Sequence, residues 1–250
     1  MTEQKYGTVL IKASKILDCL SDGKTKSVQL LSKKTHITPP TISKILGTLE
    51  YLNYVSRSHD TKGFFLGPAF IKYGLVRTDA TNIIEISRPF LEKLQVKVDE
   101  TIHLAVPQGN KVVYVNKLEP QNQGIYMTSK IGMTRELYSS GIGKAVLGTY
   151  SERQFKAYLS KIKLKPFTPN TITSKDKLVS EINKVKRFGY ATDDEEQELG
   201  GCCIAMAIVH DDRAVAAVSA SLPKFRLTPS YKVTILRELS KTRDGIEGEL

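Results

Sequence analysis

Apolar residues recur at helical spacing three times within the first fifty-odd positions. Leu10, Ala13, Ile16, Leu17 and Leu20 line one face of a helix that Asp22-Gly23 ends. Ser27 is placed to cap a second, short helix that buries Val28 and Leu31. Thr38 caps a third, with Pro39 at the first helical position, where a missing N–H costs nothing. From there Ile42, Ile45, Leu46, Leu49 and Leu52 form an apolar stripe, leaving Thr41, Ser43, Lys44 and Thr48 on the other face. Two β-prone runs, 54–57 and 64–66, then flank a polar turn containing Asp60 and Gly63, which predicts a hairpin. Three helices followed by a basic hairpin predict a winged helix-turn-helix.

Residues 68–98 keep a helical pattern, first through Ala69, Ile71, Leu75 and Val76. Asp79, Thr81 and Asn82 interrupt it, and Ile83, Ile84, Ile86, Phe90, Leu91 and Leu94 resume it. The linker is placed at about 68–80, between a first domain at 1–67 and a second at 81–250. The second domain alternates strands and helices. Strands at 101–106 and 112–118 flank the turn Gln108-Gly109-Asn110, and 125–131 predicts another strand. Helices are predicted at 141–150 and 175–188. Strands at 202–209 and 214–222 flank His210-Asp211-Asp212-Arg213, and the stretch from Pro229 to Leu250 predicts a final helix. Hairpins separated by helices predict an α+β domain with a curved, largely antiparallel sheet.

Charge adds a function to the first module. The chain carries a net +11, and residues 1–77 hold 12 Lys and Arg against 5 Asp and Glu, a surplus of seven. That concentration suits a phosphate-binding surface. The longest apolar run, 202–209, is far short of a membrane span. The N-terminal M-T-E-Q-K-Y-G leads into no signal-peptide core, so a cytoplasmic protein with no membrane partner is expected. Cys19, Cys202 and Cys203 offer neither a disulfide framework nor a zinc ribbon. The four histidines (His36, His59, His103 and His210) show no ligand spacing, so no metal and no cofactor are expected.

Four segments in order carry a family resemblance: T-P-P-T-I-S-K-I-L-G-T-L from Thr38, Y-S-S-G-I-G-K-A-V-L from Tyr138, F-T-P-N-T-I-T-S from Phe167, and G-Y-A-T-D-D-E-E-Q-E-L-G-G-C-C-I-A-M-A-I from Gly189. With them the chain resembles the IclR family of bacterial transcriptional regulators over nearly its whole length. The resemblance implies a GAF-like effector-binding domain, a homodimer or tetramer, and operator binding controlled by a small molecule in a catabolic setting. Sugar-acid breakdown, glyoxylate metabolism and aromatic degradation are typical of the family. It also implies a ligand pocket between a small-residue turn, an acidic loop, a cysteine strand and the strand after the hairpin. Those positions are Gly141 and Ile142, Asp193, Cys203, and Ser219 with Ser221. The chain departs from the family's usual Pro at Glu136 and usual His at Tyr138. Arg213-Ala214 stand where the family's hairpin usually turns through Gly.

The residues themselves leave alternatives. Ser140-Gly141-Ile142-Gly143 precedes a helix, so its amides form either an anion site or an ordinary N-terminal cap. Ser219 and Ser221 share one strand face, lining a ligand site or meeting solvent. Cys203 is either a small buried residue or half of a redox pair with Cys202, though neighbours on a strand point to opposite faces. His103, Cys203 and Asp193 could be drawn as a nucleophile constellation, but no local signature supports it.

Together these features predict a repressor that places Thr38, Thr41, Ser43, Lys44 and Thr48 against the major groove, with Arg57 and Lys62 of the wing on the backbone or minor groove. A dimer on a near-palindromic site is expected, with effector acting through residues 68–98. Ser140, Gly141, Ile142, Asp193, Cys203, Ser219 and Ser221 would hold a small carboxylate. The alternative pocket is apolar, built around Met133, Leu137 and Tyr138 for an aromatic effector. Two rival functions are a small-acid enzyme with an accessory N-terminal domain and a cysteine-based redox regulator.

Overall fold

The computed structural model describes residues 7–58, 60–74, 79–122, 124 and 127–250. His59, Leu75, Val76 and Ile125, which enter the expectations above, lie outside the described residues. Two compact units divide the chain, Met1–Arg77 and Thr78–Leu250.

In the first unit α1 (Thr8–Leu20), α2 (Val28–Thr35) and α3 (Pro39–Tyr51) precede β1 (Val55–Arg57) and β2 (Phe64–Leu66), and α4 (Ala69–Gly74) follows. Ile16, Leu20, Leu31, Ile42, Leu46, Leu49, Val55 and Phe64 close its core. Ser27 Oγ accepts the Leu30 amide, capping α2. Two apolar positions fall outside the core that the periodicity suggests. Leu10 is 72% exposed, because the fully buried face of α1 begins only at Ile16. Leu52 is exposed because it caps α3 beyond the last turn that faces the core. Thr38 sits at the N-cap of α3 but makes no cap bond; its hydroxyl lies 3.0 Å from that of Thr41. The hairpin gains a third edge where Lys26 and Phe64 exchange both backbone hydrogen bonds, at 2.9 and 2.8 Å. Gly63 permits that approach, since a Cβ there would stand 2.5 Å from the Thr25 side chain.

The second unit is built on a six-stranded sheet, all of whose neighbouring pairs are antiparallel. Its strands are β3 (Thr101–Gln108), β4 (Lys111–Leu118), β5 (Thr134–Glu136), β6 (Ala191–Asp194), β7 (Gly201–His210) and β8 (Arg213–Pro223), in the order β5-β4-β3-β8-β7-β6. The helices are α5 (Asp79–Val98), α6 (Gly141–Gly148), α7 (Glu152–Lys161), α8 (Lys175–Phe188) and α9 (Pro229–Glu247). The period-two alternation of β7 and β8 sorts their side chains by size. Cys202, Ile204, Met206 and Ile208, with Val218 and Leu222, pack against Leu91 and Leu94 of α5 and Ile235 and Leu239 of α9. The opposite face carries Ala205 and Ala217 beneath Ile142, Val146, Leu178 and Ile182 of α6 and α8. Small residues on that face let α6 approach the sheet closely.

Several expectations need correction. Residues 127–131 are not strand. The edge of β4 is taken by β5 instead, and the preceding segment is tied down by Lys117 Nζ, which donates to the Met127 and Ser129 carbonyls at 2.8 and 2.7 Å. Helix α7 was not apparent because only Phe155 and Tyr158 anchor it; a capping box between Ser151 and Gln154 starts it. The acidic run after Ala191 begins as a strand, its poor β-formers held by pairing with β7. The β7–β8 hairpin turns through Asp211 and Asp212, at φ 50° and 58°. Asp tolerates this left-handed region, so no glycine is needed, and Arg213 and Ala214 belong to the strand.

Candidate functional site

Register across the sheet assembles the concave site. Thr101, Ser221, Cys203 and Asp193 are directly opposed on β3, β8, β7 and β6, making one lateral row. His103, Ser219, Ala205 and Ala191 form the next row. Directly opposed residues of antiparallel strands share a face, so two serines, a cysteine, a histidine and an aspartate converge. A cavity of about 50 Å³ lies over them, and its walls include Ser140, Ile142, Asp193, Cys203, Ser219 and Ser221. His103, Tyr114, Ser129 and Arg135 also line it. A water needs roughly 10–15 Å³ on this measure, so the space suits a ligand of a few heavy atoms.

Gly141 is not a wall of the cavity. It is the point where α6 meets the sheet, and a Cβ there would stand 2.5 Å from Cys203 Sγ and 3.2 Å from the Asp193 nitrogen. Ser140 caps α6 by accepting the Gly143 amide at 3.1 Å and donates to the Glu136 carbonyl at 3.0 Å. One of the expected anion-binding amides therefore already has a partner. The serine hydroxyls are also engaged: Ser219 and Ser221 lie 3.5 and 3.3 Å from His103 Nδ1. His103 Nε2 is 2.6 Å from Ser129 Oγ, and the imidazole stacks on Tyr114 at 4.6 Å. Burial, reinforced by Lys117 and Arg135, pushes the His103 pKa down to about 3, so the ring is neutral.

The acidic loop is fixed from three sides. Thr168 and Thr171 hydroxyls donate to the Glu195 and Glu196 carbonyls at 2.6 and 2.7 Å. Asp193 Oδ1 accepts the Glu196 amide at 2.7 Å. Lys144, buried on α6, forms an ion pair with buried Glu196. Burial raises the Glu196 carboxyl against the pull of Lys144, and raises Asp193 to about 6 against its backbone hydrogen bonds and Lys144. Thus T-P-N-T-I-T braces the loop that presents Asp193.

Burial holds the Cys203 thiol far above its usual range and Cys202 at about 12, first by desolvation and then by nearby carboxylates. Neither is an activated thiolate. Cys202 belongs to the α5–α9 side of the sheet, facing away from Cys203. These facts argue against both the redox pair and the nucleophile constellation. The apolar alternative lacks its walls too: Met133, Leu137 and Tyr138 pack in or against the α6–α8 core. The Tyr138 hydroxyl donates to the Lys165 carbonyl at 2.8 Å.

In the first unit Thr38, Ser43, Lys44 and Thr48 are exposed along α3 and Thr41 is half-buried. Thr48 donates to the Lys44 carbonyl at 3.2 Å, which leaves the Lys44 side chain free of that bond. Exposed Arg57 packs its guanidinium over the Phe64 ring at 5.4 Å. Lys62 is exposed at the hairpin turn with φ 52°. Lys33 and Lys34, exposed in the last turn of α2, add positive charge to this unit.

A winged helix, joined to an α+β unit that carries a small cavity lined by polar and apolar groups, defines a DNA-binding transcriptional regulator. Residues 76–247 match the family described as "Bacterial transcriptional regulator IclR C-terminal", and residues 9–59 match the IclR helix-turn-helix domain. The chain belongs to the IclR family, a family of regulators and not of enzymes. It is 28% identical over 227 residues to the HTH-type transcriptional repressor AllR of Escherichia coli, spanning 90% of this chain and 83% of that protein. The crystal structure of Thermotoga maritima IclR is 33% identical and superposes with a TM-score of 0.79, covering 97% of this chain and 98% of that one. An IclR homolog from Microbacterium hydrocarbonoxydans, complexed with 4-hydroxybenzoate, shares the fold at 20% identity with a TM-score of 0.76, covering 97% and 98% of the two chains. Among the described residues no helix is long and apolar enough to cross a membrane.

Proposed function

We propose that this regulator is a cytoplasmic repressor of a catabolic operon whose hold on DNA is set by a small carboxylate in the β3–β8–β7–β6 cavity. The observation that carries this reading is the cavity itself: partly open, sized for a few heavy atoms, and lined by hydroxyls and a guanidinium among apolar groups such as Met127 and Ile142. A carboxylate finds donors there. Support of another kind is the shared fold with a protein complexed with 4-hydroxybenzoate, itself a small carboxylate. Ser140, Ile142, Asp193, Cys203, Ser219 and Ser221 are the proposed effector contacts, with Gly141 setting the distance between α6 and the sheet.

In this proposal Thr38, Thr41, Ser43, Lys44 and Thr48 face operator bases and phosphates, and Arg57 and Lys62 grip the flanking backbone. Residues 1–67 act as the DNA-binding domain, 68–80 as a linker and 81–250 as the effector domain. A single head buries too little surface for tight binding, so the working form is a homodimer or tetramer. The test is selection of binding sites from random duplex DNA with the full chain, followed by titration of small carboxylates into the selected complex. Release by one of them, with direct calorimetric binding to the protein, supports the reading; a complex indifferent to every carboxylate refutes effector control of this kind.

A further inference from the structure

Arg135 is a charged group of the cavity that the expected effector contacts do not include. It lies on β5 opposite Val112 of β4, so its side chain shares the face of Val112 and Tyr114. That face is the concave one, and Arg135 lines the cavity beside Tyr114, His103 and Asp193. Its neighbour Glu136 pairs with Lys111 at 3.1 Å, away from this site. No ion pair among the described residues includes Arg135. Arg135 and Tyr114 line the same wall, on neighbouring strands.

The hydroxyls of the cavity already have neighbours: Ser140 donates to the Glu136 carbonyl, and Ser219 and Ser221 stand 3.5 and 3.3 Å from His103 Nδ1. A guanidinium fork matches a carboxylate geometrically, and a charge-assisted pair is stronger than neutral hydroxyl contacts. Asp193 lines the same cavity and sets the opposite condition, since a second anionic group would meet its carboxylate.

Resting on the carboxylate-effector reading, we infer that Arg135 is the charge anchor of the effector, and that the cavity selects a small monocarboxylate over neutral and dianionic molecules of similar size. Arg135 is the specificity-determining residue of this site.

The test compares glycolate, its neutral amide glycolamide, and malonate on the full-length protein by isothermal titration at fixed pH and salt. The wild type should bind glycolate at least about tenfold tighter than glycolamide, from two charge-assisted hydrogen bonds, and tighter than malonate. In Arg135→Gln the glycolate-to-glycolamide ratio should collapse towards one. A merely structural defect would weaken both probes alike and leave the ratio standing. Arg135→Lys should keep part of the preference. A ratio unchanged in Arg135→Gln overturns the anchor while the carboxylate-effector reading survives. Equal affinity of the wild type for glycolate and glycolamide overturns it without any variant. If the wild type binds none of the three while larger carboxylates release it from DNA, the small-monocarboxylate class is wrong. If no carboxylate has any effect, the effector reading itself fails.

Discussion

Gly141 offers a direct test of how the cavity is built. An alanine Cβ at this position would stand 2.5 Å from Cys203 Sγ and 3.2 Å from the Asp193 backbone nitrogen. Carbon contacts normally sit at about 3.5–4.0 Å, so roughly 1 Å of overlap has to be relieved by moving β7 or α6. Overpacking of this kind costs about 1–3 kcal/mol. The Gly-to-Ala gain in helix propensity, at most about 1 kcal/mol, opposes it. A net loss of about 1–2 kcal/mol is expected for Gly141→Ala. For a unit the size of 78–250 this lowers Tm by about 2–8 °C. Calorimetry of the full chain should show one transition moving, that of the C-terminal unit. Cys203→Ala removes the Sγ and by itself costs about 1 kcal/mol for lost packing. Combined with Gly141→Ala it should restore stability, giving a favourable coupling of at least about 1 kcal/mol for these touching residues. Additive losses in the double variant would refute the claim that α6 is spaced from the sheet by this one contact.

Three further outcomes bear on function. Lys44→Ala should weaken operator binding by about 1–3 kcal/mol if the lysine meets a base edge, measured by anisotropy at matched salt; unchanged affinity would count against α3 as the reading helix. Log affinity for operator should fall linearly with log salt, with slope near −0.9 per phosphate neutralised, so a flat response would be incompatible with the basic surplus of residues 1–77 acting on DNA. Asp193, titrating near 6 and faced by Lys144, Arg135, Tyr114, Cys203, Glu196 and neutral His103, should be pushed higher when an anion enters the cavity. Binding then takes up protons just above pH 6 and carboxylate affinity falls as pH rises through that window, by at most about tenfold per unit for one linked proton. Calorimetry in two buffers of different ionisation enthalpy measures the uptake, and no uptake between pH 6 and 7 would contradict the placement of Asp193 beside the ligand.

What the amino-acid order decided by itself was local. The stripe Ile42–Ile45–Leu46–Leu49 with Thr38-Pro39 at its head announced α3, because capping and 3.6-residue periodicity act within a few turns. The alternation through β7 and β8 likewise separated Cys202 from Cys203 and put Ser219 with Ser221. Recurrent motifs in order identified the family. The partners of these residues were another matter. His103 and Ser219 are 116 positions apart, and Arg135 reaches the cavity only because β5 pairs with β4 where a strand at 125–131 was expected. Which hydroxyls are free for a ligand and which already hold an imidazole depends on strand register. Register is fixed by burying one whole face of the sheet against α5 and α9, a cooperative choice among distant segments that no local pattern contains.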